Sequence, residues 1–489
     1  MALGLLFVGA FGYSLRMETM GCLTIALEDF ETDVSRNPAN ITTLNENYLR
    51  LSLGMESADL VISDKWDDIV PNSEYQTTNT DYSYFSMPIS VLGFYKMEAL
   101  VIGLQFDMPK ETYTYNWKSD WTRHGQELTN YENQTQNDEI VSSIINMNIV
   151  LGYQLGEIGV GVNFGQLKDE FTLTHSYTQL SSGGDTSEER EIGVTTDNAF
   201  YGFGATYPTG NMVVEFAYKM STLTGEGDFK KVVNDGIAED PTDRDAYPLF
   251  LAEITTDLIH LKVKYKYTKN IDISFGMDMT TTDLKADVET ASLPKFSPVE
   301  GSLKDNNIMF GIGFHEDAFN FGLELNYNMF TVEGTGSDTI GKSMEVSADA
   351  KMIVLKAGAE YQATDKLALR VGALKYVPLS GSDEKKEFDP ATVELVDAEK
   401  YTGDVLNTSN MIITSFGVEY QFNKQMTLEY GYIGGKYLYN QNAMNLVAEL
   451  APYGVDTGFR IYNAVTGLGT ALFTPMSFTK HVFSVRYNF

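Results

Sequence analysis

Five histidines, His124, His175, His260, His315 and His481, are the side chains of this 489-residue chain suited to passing protons near neutral pH. Hydrolytic chemistry would need one of them beside a serine nucleophile and held by a carboxylate. They are scattered, and none lies in a nucleophile motif, so no catalytic residue is assigned. The other charged chemistry is acidic: 67 Asp and Glu against 35 Lys and Arg leave a formal charge of -32. That balance argues against a nucleic-acid partner, whose phosphates call for clustered cations. The acids crowd into runs such as "ESADLVISDKWDD", "DTSEEREI", "NDGIAEDPTDRDAY" and "GSDEKKEFDPATVELVDAEK". A divalent-cation site is conceivable there, yet no run has the Asp/Asn/Gly spacing of a calcium loop, and they read as solvated loops. Neither metal nor cofactor is expected. The single cysteine, Cys22, excludes an internal disulfide framework, and "METMGC" lacks the upstream Leu of a lipid anchor.

The elements that must carry these residues are strands. From about residue 47 onward, segments of about ten residues alternate apolar and polar with period two. "IHLKVKYKY" places Ile259, Leu261, Val263, Tyr265 and Tyr267 on one face and His260, Lys262, Lys264 and Lys266 on the other. "IDISFGMDM", "FNFGLELNYNM", "INMNIVLGY" and "MTLEYGYI" behave alike. The apolar face is expected to point outward and the inner face to be polar and Gly-rich. No stretch of about 18 apolar residues is present to make a spanning helix.

Very short turns join these segments in pairs, at "KMEA" 96, "GE" 156, "TGN" 209, "KNID" 269, "EDA" 316, "TDK" 364 and "NKQ" 423, while long acidic connections, at 223–249, 381–406 and 441–473, join the pairs. Short turns at one end and long loops at the other are the mark of a membrane barrel rather than a soluble sandwich. Seven hairpins with an opening strand near 47–55 and a closing strand near 477–489 make sixteen strands, fourteen staying open. Tyr and Phe near strand ends in "YKYTK", "EYQF" and "KYLYN" suit interfacial girdles. The expected fold is all-β: a transmembrane antiparallel β-barrel of 14–16 strands in the bacterial outer membrane, surrounded by lipid and lipopolysaccharide. In "HVFSVRYNF", Phe483, Val485, Tyr487 and Phe489 alternate outward, and the terminal Phe489 resembles the strand signal read by the barrel-assembly machinery.

A barrel of this size leaves an aqueous lumen unless something fills it. Residues before strand one lack the period-two pattern. "MALGLLFVGAFG", residues 1–12, has the look of a signal-peptide core without a basic start, the other reading being that it folds into the mature protein. Residues 13–46 are assigned to a plug and 47–489 to the barrel. In "DVSRNPANITTLN", Pro38 fixes φ and Asn37 can cap a turn with its side chain.

With "SRNPA" and the acidic stretch before it, the chain resembles the FadL/TodX family of outer-membrane transporters for long-chain fatty acids and other hydrophobic compounds. "MPISVLGFYKMEALVIGLQFDMPKE" is similar to that family's second and third strands, and "VEYQFNKQMTLEYGYIGGK" to a later hairpin. The resemblance implies a hatch gated at Ser35, Arg36, Asn37, Pro38 and Ala39. It also implies a third strand that kinks and opens sideways into the membrane, here the strand carrying Gly103, Asp107 and Pro109, unless Pro109 simply ends that strand. Phe11, Tyr13, Leu15 and Met17 would line the ligand pocket. Arg50, Lys264 and Arg370 face inward by alternation; each is able to meet a ligand carboxylate, or to pair with a lumen acid instead. The ligand is expected to be a hydrophobic small molecule or fatty acid. A general or cation-selective diffusion porin, a structural or adhesin barrel, and an outer-membrane lipase or protease are the competing readings.

Overall fold

The computed structural model describes residues 14–67, 74–124, 129–181, 184–243, 249–289, 296–337, 343–388, 395–403, 412–438 and 475–489. All the strands join one antiparallel sheet closed on itself. Its wall has sixteen members: β1 Tyr48–Asp67; β2, broken into Glu74–Ser86 and Ile89–Met97; β3, broken into Leu100–Met108 and Lys110–His124; β4 Thr129–Leu155; β5 Ile158–Ser181; β6 Thr186–Thr209; β7 Met212–Asn234; β8 Leu249–Lys266; β9 Ile271–Glu289; β10 Phe296–Glu316; β11 Phe319–Ser337; β12 Ser343–Thr364; β13 Leu367–Phe388; β14, in two pieces, Leu395–Gly403 and Ile412–Gln421; β15 Met426–Leu438; and β16 Pro475–Asn488. β16 closes on β1 from Tyr48↔Asn488 to Asp59↔Ser477. All seven short turns fall where the sequence places them.

The register fixes the barrel's geometry. Followed from Val213 on β7 through each paired residue in turn, the cross-strand row passes Lys264, Glu324, Leu374, Phe478 and Tyr113 and comes back to β7 at Phe229, sixteen residues further on. A shear equal to the strand number, with about 3.3 Å per residue and about 4.8 Å between strands, tilts the strands by about 35°. Each full row therefore climbs about 45 Å along the barrel axis.

A transmembrane strand needs about 9–11 residues, and β4 has 27. Its exposed apolar residues, Ile145, Met147, Ile149, Tyr153 and Leu155, occupy only the end nearest the short turn. The same end of the barrel carries exposed Tyr95, Tyr207, Tyr265, Tyr361, Tyr420 and Phe489, an aromatic girdle.

Beyond that band the polarity of the wall reverses. On β5, Ile158, Val162 and Phe164 point outward and Gly159, Gly161 and Asn163 inward; farther along, Lys168, Glu170, Thr172 and Thr174 point outward while Leu167, Phe171 and Leu173 are buried. Lipid bathes the first stretch and water the second, so the apolar face turns from outside to inside. The expectation of a polar inner face thus holds only within the band, and there not at Tyr48, Leu92, Phe94, Val101 and Val150, which are buried apolar wall residues. The acidic runs and long connections are corrected likewise: residues 56–67, 186–192, 223–234, 381–388 and 395–403 are strand, not loop. The connection at 441–473 and "KYLYN" beyond Leu438 lie outside the described residues.

At Pro109 the strand is interrupted for that one residue, between Met108 and Lys110, and resumes in register. The pairings on both sides, Ile89↔Met108 and Ser86↔Glu111, share one register and set Pro109 opposite Pro88. Gly54 donates to the Pro88 carbonyl (2.8 Å) and Ile144 to the Pro109 carbonyl (3.1 Å). The return bonds are missing because proline has no N–H. A row of weakened pairing, Gly54–Pro88–Pro109–Ile144, therefore lies across four strands, one ladder bond being absent between β1 and β2 and one between β3 and β4.

Candidate functional site: the seat of the N-terminal segment

Residues 14–47 fold inside the barrel as two short helices and a 3₁₀ turn. In α1, Leu15–Thr19, the Ser14 hydroxyl accepts from Met17 N–H (3.1 Å). In α2, Phe30–Arg36, Asp29 accepts from Thr32 N–H (3.0 Å). Both are side-chain N-caps that satisfy otherwise unpaired donors. Asn37 ends α2 and begins the turn Pro38–Thr43, its Oδ1 accepting from Ala39 N–H (3.0 Å) and its Nδ2 donating to the Ala205 carbonyl (3.0 Å). The "SRNPA" stretch is thus the corner expected of it, fastened to β6.

The corner fits because the wall has no side chains where it lies. A methyl group built at Gly161 would overlap the Pro38 carbonyl, and one at Gly204 the Asn37 side chain. At the opposite wall the cross-strand pair Gly358↔Gly372 lets the Met20–Gly21 backbone lie flat against β12 and β13. Apolar packing completes the seat: Val34, Ile41 and Leu44 join Tyr48, Leu92, Phe94, Val101 and Val150, and the Phe30 ring stands edge-on to Phe94 at 4.8 Å.

Ion pairs cross the interface all round. Arg16 binds Glu360 (2.9 Å), Glu18 binds Lys480 (3.0 Å), Glu28 binds Lys264 (2.5 Å), Asp33 binds Lys262 (2.8 Å), Glu31 pairs with Arg50 and Arg36 with Asp278. Lys219, deeply buried, donates to the Ser35 carbonyl. The fully buried Glu324 accepts from the Thr24 (2.7 Å) and Ile25 (2.9 Å) N–H groups and binds Lys356 (2.9 Å).

Of the candidate ligand-binding residues, Phe11 and Tyr13 lie outside the described residues. Leu15 and Met17 are buried in packing, Leu15 against the wall at Gly431 and Met17 with Met20, Leu23 and Leu27. Each proposed carboxylate anchor already has acid partners: Arg50 has Glu31; Lys264 has Glu28 and Asp272 (2.8 Å); Arg370 has Glu360 (2.7 Å), Glu419 and Glu429 (3.5 Å). Gly103 packs on Phe94 and Ile41, and Asp107 accepts from Gln105 (2.5 Å) and Asn146 (3.0 Å). The sequence held the signal for this seat in the acidic "EDFETD" at 28–33 and in inward cations on an otherwise acidic chain. Arg50 and Lys264 hold acids of the plug, and Arg370 holds acids of the wall.

Between the segment and the wall lies a cavity of about 390 Å³, lined by Phe30, Leu44, Tyr48 and by Arg16, Arg50 and Arg486 among Asp29, Glu31, Glu46, Glu419 and Glu429. Five carboxylates to three guanidiniums make it a poor host for another carboxylate. The histidines also sit in structural pairs: His175 with Asp138 (2.6 Å), His260 with Asp278 (2.5 Å), His315 with Asp272 (3.0 Å) and His481 with Tyr430 (3.0 Å); the side chain of His124 lies outside the described residues.

No family model and no curated protein matches the chain. Solved structures similar to it include the toluene transporter TodX of Pseudomonas putida (11% identity over 98% of this chain and 99% of that one, TM-score 0.40), a Pseudomonas aeruginosa FadL homologue (9%, 97% and 98%, TM-score 0.41) and the toluene transporter TbuX of Ralstonia pickettii (11%, 98% and 99%, TM-score 0.38). At this level of similarity neither family nor activity follows from the match.

Proposed function

We propose that this chain is an outer-membrane channel for passive uptake of hydrophobic molecules, gated by the N-terminal segment acting as a hatch. The observation that carries the reading is the filled lumen. A segment held by six ion pairs, glycine seats and a buried apolar cluster occupies the barrel where an aqueous porin would be open. Removing apolar surface from water, at roughly 25 cal/mol per Å², supplies the affinity, and the bilayer, equally apolar, is the natural acceptor on release. The weakened row at Pro88 and Pro109 is the place for a lateral exit. Paired lumen cations favour an uncharged cargo over a free fatty-acid carboxylate. The strand ending at Phe489 would be the part presented to the barrel-assembly machinery.

Two measurements test this. Liposomes carrying the protein should not swell in small sugars, whereas swelling at porin rates would establish the rival diffusion pore. Deleting Asn37–Ala39 should leave a folded barrel with impaired hydrophobe uptake; unchanged uptake would remove the gating role.

A further inference from the structure

Four inward side chains on β3 and β4 form a compact polar quartet at the level of the lipid-facing band. Gln105 stands opposite Asn148, and Asp107 opposite Asn146; Ile145, Met147 and Ile149, which alternate with the two asparagines, are exposed on the lipid side. Gln105 Nε2 (2.5 Å) and Asn146 Nδ2 (3.0 Å) donate to Asp107 Oδ2. An ionised carboxylate only accepts, which fixes which end of each amide is oxygen. Gln105 Oε1, Asp107 Oδ1, Asn146 Oδ1 and Asn148 Oδ1 are all buried, and none has a hydrogen-bond partner among the described residues. Asn163 on β5, diagonal to Asn148, adds a fifth such oxygen. These asparagines are shut away from water, Asn146 being 5%, Asn148 1% and Asn163 4% exposed. The Phe200 ring lies over Gly165, the cross-strand partner of Asn148, and the plug's Ile41 packs on Gly103 and Gly152, just beyond the quartet toward the short turns.

We propose that these oxygens hold one monovalent hard cation, sodium or potassium, in the lumen wall beside the plug. Charge is the first reason. Glu31, Asp33, Asp278 and Glu324 each face a cationic side chain, whereas the hydrogen-bond partners of Asp107 are neutral. A carboxylate buried without a countercharge is unfavourable, and the low polarity of the lipid band strengthens its pull on a cation. The donor set is the second reason. Amide and carboxylate oxygens suit alkali and alkaline-earth ions rather than transition metals, and among the described residues no group of three His, Cys, Asp or Glu is placed to hold a metal ion. A single carboxylate balances one positive charge, and a divalent ion would leave the second uncompensated. Spacing is the third. Opposed residues stand about 5 Å apart and alternate residues about 6.6 Å apart along a strand, so the middle of the quartet lies about 4 Å from each Cβ. That is within the combined reach of a short side chain and a cation–oxygen contact of about 2.4 Å. The site is independent of what the channel carries.

Unfolding of the purified full-length barrel tests this, read at a fixed temperature as loss of the compact gel band in sodium, potassium or choline chloride at equal ionic strength. An ion that binds the folded state alone, present at ten times its dissociation constant, slows unfolding by about tenfold. Sodium or potassium should have that effect relative to choline in the wild type and in Ser143→Ala, an exposed outward position of β4. The effect should vanish in Asn148→Leu, which replaces an unpaired amide by an apolar group of similar size, and in Asp107→Asn, which removes the charge at nearly constant shape. The more effective of the two ions identifies the occupant. Equal wild-type rates in all three salts overturn the site. An alkali-ion effect that survives in both folded variants places the ion elsewhere and overturns this assignment, and a greater response to calcium chloride than to either alkali salt overturns the monovalent charge.

Discussion

Substituting Gly372 by Ala should unseat the front of the plug, and the native thiol of Cys22 should report it. Gly372 and its cross-strand partner Gly358 lie directly under Met20 and Gly21, so an added methyl group meets main chain and not a yielding side-chain tip. Overpacking of this kind costs about 1–3 kcal/mol, and loss of the Gly21 N–H to Ser415 hydroxyl bond (3.2 Å) costs about 1 kcal/mol more. About 2–4 kcal/mol shifts the population of the displaced plug by roughly 30- to 1000-fold. Cys22 is well suited to count that population. Burial pushes its thiol up to about 11, so at pH 7.5 the seated plug holds very little of the reactive thiolate, and displacement returns the thiol toward its ordinary value of about 8.5. Maleimide labelling of purified folded barrel should therefore be slow in the wild type and faster by one and a half to three decades in Gly372→Ala, with Cys22→Ser silent in both backgrounds. Equal labelling rates in two folded proteins would show that the plug does not rest on the glycine pair.

Ile41→Ala should cost about 2–4 kcal/mol of plug seating by emptying space against Phe94, Val101 and Val150, read as faster proteolysis of the N-terminal segment in the folded barrel. Arg36→Ala should do at least as much, since it leaves Asp278 buried beside His260 without its guanidinium; the same proteolysis assay checks it, and rescue by Lys should be partial because the planar fork is lost. Replacing Pro88 and Pro109 together with Val restores two ladder donors, about 1 kcal/mol each. Thermal stability should rise, and if cargo leaves sideways there, hydrophobe uptake should fall; higher stability with unchanged uptake would move the exit elsewhere.

The sequence by itself determined the wall. Period-two alternation, seven tight turns and an aromatic closing strand are local signals, set by lipid on one face and by the few residues a turn permits, and the hairpins appear where those signals are. It also located the plug and its "SRNPA" corner, because Asn37 and Pro38 shape the chain within a few residues. Three things were left to tertiary structure. The period is the same whichever face is apolar, so it could not say that β5 turns its apolar face inward past Phe164. The partners of Arg50, Lys264 and Arg370 lie 8 to 236 residues away, and only the assembled lumen shows that these cations hold plug and wall acids. The closure of β16 on β1, Tyr48↔Asn488 to Asp59↔Ser477, and the shear of sixteen residues that it completes belong to the whole ring and are written in no single segment.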